Sequence, residues 1–177
     1  MVGQAQPTLS ITSLFLTMEL IILIGLQGAG KSTFFRAHFA ATHDLVSKDL
    51  MPNNRQPALR QLQLVEEALQ AGHSVVVDNT NPTPANRAEL IELGRAYAAT
   101  IIGYYFEPQV NRCLARNQQR SGKERVPDIA IFATRKRLIP PAYTEGFAKL
   151  FLVVNNDDGT FGVSYVPKEE AGTNATE

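Results

Sequence analysis

A glycine-rich run directly after a short apolar segment constrains most strongly how this chain can fold. Residues Gly25–Thr33 read Gly-Leu-Gln-Gly-Ala-Gly-Lys-Ser-Thr, and they follow the apolar run Leu20–Ile24. Two glycines five residues apart and a following Lys-Ser form the pattern of a phosphate-binding loop. The loop lies between a strand-like run and the helix-like run Phe34–Ala41, which is the context that this pattern requires. The sequence therefore predicts a loop that binds a nucleoside triphosphate.

Each part of this loop has a predicted role. Glycines allow backbone N–H groups to turn toward one point, and the helix that follows adds the positive end of its dipole. We expect Lys31 to reach the β- and γ-phosphates of the nucleotide and the Ser32 hydroxyl to hold Mg²⁺. The predicted nucleotide-binding residues of the loop are Gly25, Leu26, Gln27, Gly28, Ala29, Gly30, Lys31, Ser32 and Thr33.

Length and composition predict one soluble domain. The chain has 177 residues, of which 44% are hydrophobic and 19% charged, so it can bury a core of ordinary size. Seventeen basic residues balance seventeen acidic ones, so no global charge attracts the chain to nucleic acid or to a membrane surface. The single cysteine, Cys113, cannot form an internal disulfide, which is typical of a reducing cytosol. We expect a cytoplasmic protein.

Both ends of the sequence are predicted to lie outside this domain, which spans residues 18–167. Residues 1–17 contain no Lys or Arg, and their apolar stretch is too short to cross a bilayer. These residues are either a flexible extension or precede the true start at Met18. The polar segment 168–177 predicts a disordered tail. No membrane association is expected.

Strand-like and helix-like segments alternate along the domain. This alternation predicts an α/β fold, a P-loop NTPase-type parallel sheet of about five strands with helices on both faces. Asp158-Gly159 between two apolar runs predicts a C-terminal β-hairpin. The predicted strands are Leu20–Ile24, Leu45–Ser47, Ser74–Val77, Thr100–Phe106 and Leu150–Val154. The predicted helices are Lys31–Ala41, Pro57–Ala71, Pro84–Ala98, Gln109–Gln119 and Ile129–Leu138.

Two carboxylates follow predicted strands, where parallel sheets bind their ligands. Asp78 ends an apolar run and resembles the second nucleotide-binding motif, whose carboxylate reaches Mg²⁺. Asp49 follows the strand that we expect next to the phosphate-binding loop, and it could take the proton of an acceptor hydroxyl. Each Asp has an alternative interpretation as a turn or helix-cap residue, in the case of Asp49 before Pro52.

A basic segment follows the fourth predicted strand. Eight basic and two acidic residues lie between Arg112 and Arg137. Arg112, Arg116 and Arg120 recur every four residues, which places them on one helical face, and Gln119–Arg125 is typical of a mobile loop. We interpret this lid segment, Gln119–Arg125, as a candidate source of an arginine that meets the transferring phosphate. The alternative is a solvated helix face. Few aromatic residues interleave the segment, so no platform for base stacking is evident.

Five groups of residues together resemble the 5′-hydroxyl polynucleotide kinase domain of polynucleotide kinase/phosphatase repair enzymes. The resemblance covers about Met18 to Val154. These groups are Gly25–Thr33, Asp49, Val77–Pro82, Arg116–Arg120 with Val126-Pro127, and Tyr143–Phe147.

The resemblance implies a role for each candidate residue. ATP is the implied phosphate donor, with Lys31 and Ser32 at its phosphates and at Mg²⁺. Asp49 is implied as the general base on a 5′-hydroxyl group, and Asp78 as a residue near the metal or the acceptor. Arg120 is implied to clamp the donor phosphates, with support from Arg116.

The sequence departs from the family pattern on the acceptor side and in the lid, which is one residue longer between Arg120 and Pro127 than in the phage pattern. Family members of the phage type have an arginine three residues after the catalytic Asp, whereas this chain has Pro52 there, and Arg55 is the nearest substitute. The phosphatase motif would need an aspartate nucleophile at Asn156, and an amide cannot attack phosphate as a carboxylate does. We therefore expect no phosphatase activity.

The leading functional prediction is an ATP-dependent kinase that phosphorylates the 5′-hydroxyl of DNA or RNA, with a nucleic acid 5′ end as its substrate and no obligate protein partner. The neutral charge and Pro52 favour, to some degree, a second possibility, a kinase of a sugar, a nucleoside or a similar small molecule. The third possibility is a nucleotide-binding module without phosphotransfer.

Overall fold

The computed structural model describes residues 17–156 and 158–168. The predicted extension 1–17, except Thr17, therefore lies outside the described residues, as does the predicted tail 168–177, except Lys168. Across the described part of the chain, no helix has the length and apolar character needed to cross a membrane.

Six strands form a single sheet in the order β2-β3-β1-β4-β5-β6. Strands β1 to β5 pair in parallel, and β6 returns antiparallel to β5. The predicted α/β fold is confirmed, and the predicted hairpin supplies the sixth strand through a turn that contains Asp158 and Gly159. The strands are β1 (Glu19–Ile24), β2 (Asp44–Val46), β3 (Val75–Asp78), β4 (Thr100–Phe106), β5 (Lys149–Asn155) and β6 (Phe161–Val166).

Five α-helices connect these strands. Pro57 and Pro84 occupy the first positions of two of them, where proline's fixed φ suits a helix and its missing N–H costs no bond. The helices are α1 (Lys31–His38), α2 (Pro57–Gln70), α3 (Pro84–Ala96), α4 (Val110–Gln118) and α5 (Asp128–Arg137). Short 3₁₀ turns span Lys48–Leu50, Gly122–Glu124 and Tyr143–Glu145.

The strand order corrects one prediction. We expected β2 next to the strand that carries the phosphate-binding loop, but β3 pairs with β1 on one side and with β2 on the other. The physical reason is burial. Val75–Val77 is fully buried and needs a neighbour on each side, whereas β2 has only three residues and begins at the exposed Asp44.

The centre of the sheet positions the loops. All of Leu20–Ile24 in β1 is buried, and β3 and β4 flank it. The carboxyl ends of β2, β3 and β1 therefore lie side by side at one edge of the sheet. At these ends lie Asp78, the last residue of β3, Asp49 in the loop after β2, and the phosphate-binding loop after β1.

Candidate active site

The phosphate-binding loop (P-loop) joins β1 to α1 as predicted. Gly28 has φ 77°, and a Cβ atom there would lie 2.7 Å from the carbonyl oxygen of Cys113 on α4. A side chain at this position would therefore push α4 away from the loop. The N–H of Gly25 donates to the carbonyl oxygen of Thr80 at 3.0 Å, which ties the start of the P-loop to the loop after β3.

Lys31 lies inside the P-loop rather than above it. Its side chain is buried, and Nζ donates to the carbonyl oxygens of Leu26 at 2.7 Å and Gly25 at 3.1 Å. Burial lowers the pKa of Lys31 from the usual 10.5 because the charged form loses its hydration. The loop carbonyls hold the ammonium group at the first turn of α1, where a phosphate would bind.

The predicted site residues converge around Lys31. After burial, the carboxylate of Asp78 has the largest effect on the pKa of Lys31 and raises it. The charge of Arg120 lowers this pKa, and the charge of Asp49 raises it. Asp78, Arg120 and Asp49 come from three separate segments of the chain, and the charge of each influences this one ammonium group.

Ser32 and Asp78 form a direct pair. The Ser32 hydroxyl donates to Oδ2 of Asp78 at 2.5 Å, and Asp78 is buried. A hydroxyl and a carboxylate are the hard oxygen ligands that Mg²⁺ prefers, and Mg²⁺ usually takes few protein ligands beside waters and phosphates. Among residues 17–156 and 158–168, no three His, Cys, Asp or Glu residues cluster as a metal site. The pair fits Mg²⁺ as a partner of bound phosphates.

Asp49 is exposed and lies in the 3₁₀ turn Lys48–Leu50, three residues beyond the end of β2. Its N–H donates to the Ser47 hydroxyl at 3.3 Å, so Ser47 caps the turn. Within the described ranges, no hydrogen bond or ion pair holds the carboxylate of Asp49. The carboxylate therefore does not cap the turn, and it is accessible to solvent.

The two predicted arginines occupy different positions. Helix α4 ends at Gln118, so Arg120 lies beyond the helix and not on the predicted common face. The reason is a turn, in which the N–H of Arg120 donates to the carbonyl oxygen of Asn117 at 3.1 Å. Arg116 lies 3.4 Å from the carbonyl oxygen of Gly28, a long hydrogen bond to the P-loop. Arg116 thus contacts the loop directly, and Arg120 acts on it by charge.

Asn117 fastens the lid segment, a role that the sequence analysis missed. The side chain is fully buried, and Nδ2 donates to the carbonyl oxygen of Val126 at 2.7 Å and to Asp128 at 2.9 Å. Its Oδ1 accepts the N–H of Val126 at 3.1 Å. One side chain therefore joins the residues on either side of the lid segment. The amide between two basic residues gave no sequence signal for this contact.

Arg87 and Glu145 form a buried ion pair that the sequence analysis also missed. Nε and Nη2 of Arg87 each donate to a Glu145 oxygen at 2.7 Å, and no part of Arg87 is exposed. Nη1 donates to the carbonyl oxygens of Asn81 at 2.9 Å and Ile139 at 3.2 Å. Asn81 has φ 42° and donates from Nδ2 to Leu23 at 2.8 Å. The ion pair thus braces the loop that begins at Asp78.

The acceptor side offers a different surface. Pro52 and Arg55 are exposed, and a surface groove of about 290 Å³ lies beside the first turn of α2, with no P-loop residue in its lining. Within the described residues, no hydrogen bond or ion pair holds the Arg55 guanidinium. The groove is lined by Asn54, Arg55, Gln56, Leu59, Arg60 and Gln63.

Asn156 belongs to the turn of the β5–β6 hairpin. Its Nδ2 donates to the Thr160 hydroxyl at 3.0 Å, and its N–H donates to the Thr160 carbonyl oxygen at 2.9 Å. Oδ1 of Asp158 accepts the N–H of Thr160 at 2.9 Å and its hydroxyl at 2.7 Å, and Gly159 has φ 82°. The turn therefore uses this polar sequence for its own hydrogen bonds.

Two curated relatives have similar sequences. The bifunctional polynucleotide phosphatase/kinase of Schizosaccharomyces pombe is 25% identical over 136 residues, which cover 75% of this chain and 32% of that protein. A putative bifunctional polynucleotide phosphatase/kinase of Acanthamoeba polyphaga mimivirus is 31% identical over 138 residues, with coverage of 75% and 32%. The chain spans about one third of the length of these relatives.

Solved structures with the same fold include enzymes whose names refer to different substrates. A gluconokinase from Sinorhizobium meliloti 1021 superposes with a TM-score of 0.56 at 18% identity and covers 77% of this chain and 82% of its own. A fungal RNA kinase superposes with a TM-score of 0.61 at 17% identity, with coverage of 77% and 38%. These likenesses show the fold alone.

A family model matches most of the domain, beyond the individual motifs. The model described as an AAA domain, AAA_33, matches residues 20–141, which is more than half of the chain. This range contains the P-loop, both site aspartates and the lid segment. The chain therefore belongs to the AAA domain family AAA_33.

Proposed function

We propose that this chain transfers the γ-phosphate of ATP to the 5′-hydroxyl of a nucleic acid. The observation that carries the proposal is the carboxylate of Asp49, which is exposed and has no partner within the described ranges, yet acts electrostatically on the buried Lys31. An unpaired carboxylate beside a phosphate-binding lysine is what a general base for a hydroxyl acceptor requires.

The chemistry assigns one role to each side of the site. Asp49 takes the proton of the acceptor hydroxyl as its oxygen forms a bond to the γ-phosphorus. The bond between that phosphorus and the β–γ bridging oxygen breaks, and ADP leaves with the electron pair. The charges of Lys31 and Arg120 offset the negative charge on the phosphates, and Arg116 positions the P-loop.

The donor side is proposed to work with Mg²⁺. Ser32 and Asp78 would hold the ion, since their oxygens already lie within hydrogen-bond distance of each other. Mg²⁺ would supply neutralisation of charge on the β- and γ-phosphates. The residues of this chain set the position of the phosphates through the P-loop amides and Lys31.

Helix α5 supports a polymeric acceptor. Phe132 is 51% exposed and Ile129 is 75% exposed, one turn apart on a helix that also carries Arg135 and Lys136. Gln27 of the P-loop donates to Thr134 of the same helix at 3.0 Å, so α5 lies beside the site. The sequence suggested no stacking platform, but an exposed aromatic ring among cations is suited to a base and its phosphates. The names of the curated relatives agree with this choice.

A small-molecule acceptor is the second candidate. Pro52 replaces the arginine that the family resemblance led us to expect, and the domain has the same fold as a gluconokinase. A neutral sugar would need no phosphate-binding arginine beside Asp49. The proposal includes no phosphatase reaction because Asn156 stands at the nucleophile position and forms part of a hairpin turn.

The test is a phosphate-transfer screen with γ-labelled ATP across 5′-hydroxyl DNA, 5′-hydroxyl RNA and a metabolite panel. Labelled oligonucleotide whose yield falls steeply with added salt supports the proposal, because a polyanionic acceptor releases counterions on binding. Label that enters only a neutral metabolite, independently of salt, would overturn it.

Asp49→Asn separates a kinase from a nucleotide-binding module. We expect turnover to fall by roughly 10²- to 10⁴-fold because the general base is lost, while ATP affinity stays within about twofold. Asp44→Asn, an exposed aspartate at the start of β2, is the matched control and should keep full turnover. Unchanged turnover in Asp49→Asn would remove Asp49 as the base.

A further inference from the structure

The turn that carries Asp49 is held from outside the turn by one side chain. Oδ1 of Asn79 accepts the N–H of Lys48, the first residue of the turn, at 3.1 Å. Asn79 lies directly after β3, at a separation of 31 residues from Lys48 in the sequence. Because β2 and β3 pair in parallel, their following loops lie side by side, and this contact joins them.

Asn79 is itself fixed by a buried partner. Its Nδ2 donates to Oε1 of Gln61 at 2.6 Å, and Gln61, on α2, is only 4% exposed. Both ends of the Asn79 amide are therefore engaged, which fixes its orientation. A buried amide with a single strong partner is costly to disturb because the group left behind is unsatisfied.

The same loop also carries the donor-side carboxylate. Asp78 immediately precedes Asn79 and accepts a hydrogen bond from Ser32 of the P-loop. Two adjacent residues therefore face in two directions, one toward the donor site and one toward the turn with Asp49. A shift of one would move the other through a single peptide unit.

We propose that Asn79 is a positioning residue that sets the place of Asp49 relative to the donor phosphates, with Gln61 as its anchor. This inference rests on the proposed function, in which Asp49 is the base. Asn79 needs no contact with substrate. Its role is to hold the Lys48 N–H and, together with the Ser47 cap, the turn that presents Asp49, because no described hydrogen bond or ion pair holds the carboxylate itself.

The main test is Asn79→Ala in the full chain, with γ-labelled ATP and a 5′-hydroxyl oligodeoxynucleotide. We expect kcat to fall by roughly 10- to 100-fold, because a displacement of about 1 Å in a reacting group costs about that much. The KM for ATP should change little, and the melting temperature should fall by only a few degrees, roughly what one unsatisfied buried acceptor on Gln61 costs. A fall in kcat below threefold, or an equal loss of ATP affinity, would overturn the inference.

Variants of the anchor and of the amide distinguish positioning from a merely structural role. Gln61→Leu should reproduce the kcat defect, and Gln61→Glu, which keeps the acceptor for Asn79, should restore most of it. Gln70→Ala, which changes an exposed glutamine of the same helix, is the control.

Asn79→Asp keeps the acceptor for Lys48 but adds a negative charge near Asp49. The acidic limb of the profile of kcat against pH should therefore shift to higher pH. An unshifted limb or no rescue by Gln61→Glu would count against the inference.

Two measurements separate this inference from the proposed function. In an Asp49→Asn background, Asn79→Ala should cause no further loss, because it acts through Asp49. The backbone amide of Lys48 should exchange with deuterium at least about tenfold faster in Asn79→Ala, whatever the acceptor is. Full activity in Asp49→Asn would overturn the base assignment. Inactive Asp49→Asn with fully active Asn79→Ala would overturn only the positioning role.

Discussion

The donor and acceptor sides of this site are built in opposite ways. On the donor side, Lys31 and Asp78 are buried and hydrogen-bonded within a loop and its direct neighbours. On the acceptor side, Asp49 and Arg55 are exposed, and no described contact holds either charged group. In the proposed reaction, the buried side would serve any triphosphate donor, and the exposed side would be particular to this chain.

This contrast has a physical basis. A triphosphate presents the same charges to every kinase, so a rigid nest of amides and one buried ammonium group can be prepared before binding. An acceptor varies between enzymes, and exposed side chains on a turn and at a helix start can change without damage to the core. Variants on the two sides should therefore fail differently.

The largest expected effect comes from the donor side. Lys31→Met should reduce turnover by about 10³-fold or more, since the ammonium group meets the charge on the transferring phosphate. ATP affinity should fall as well, because the same group contacts the bound phosphates. Stopped-flow binding of a fluorescent ATP analogue and single-turnover transfer measure the two losses separately.

The matched control for this variant is Lys149→Met, an exposed lysine at the start of β5. It should change neither quantity. If Lys31→Met lost turnover but kept full ATP affinity, the donor side would behave like the acceptor side, and the contrast would fail.

A smaller effect is expected at the brace that both sides share. Glu145→Gln leaves the Arg87 charge buried without its carboxylate, which should cost about 3 kcal/mol of unfolding free energy. Urea denaturation measures this loss. The ion pair braces the loop that begins at Asp78 and contains Asn79. Glu145→Gln should therefore impair the donor side and the acceptor side together.

Two further variants check this interpretation of the brace. Glu89→Gln, an exposed glutamate of α3, should be neutral. The double variant Arg87→Met/Glu145→Leu should be more stable than Glu145→Gln, because no unpaired charge is left in the interior. Equal stability of Glu145→Gln and the unmodified chain would show that the pair contributes nothing to the loop.

The same contrast explains what the sequence could and could not predict. The P-loop residues are contiguous, so the pattern predicted their strand, their turn and their helix, and each is confirmed in the structure. The roles of Asn79 and Glu145 depend on contacts 31 and 58 residues away in the sequence, and no local pattern reports such pairings. The prediction that β2 is the neighbour of β1 was wrong for the same reason. The order of the strands depends on which apolar run needs a neighbouring strand on each side, and no local pattern reports this. Arg120 was misplaced because α4 gives way to a turn after Gln118, where the side chain of Asn117 binds Val126 on the far side of the lid segment.

The smallest effect is expected at Arg55, where the proposed acceptor is tested most directly. If Arg55 takes the place of the missing arginine at Pro52, Arg55→Ala should raise the KM for a 5′-hydroxyl oligonucleotide by about tenfold and leave the KM for ATP unchanged, because one phosphate contact is worth about that much. The slope of log(kcat/KM) against log[salt] should become shallower by about one. Arg36→Ala, which removes an exposed arginine of α1, is the control for a general change in charge and should alter neither parameter.

A comparison of a nucleoside 3′-phosphate with the parent nucleoside as acceptors refines the result. Arg55→Ala should abolish the preference for the phosphorylated acceptor. If both acceptors react equally well with the unmodified chain, the groove beside α2 binds no phosphate. The acceptor side would then select its substrate through the shape around Asp49 alone, as a kinase of neutral small molecules would.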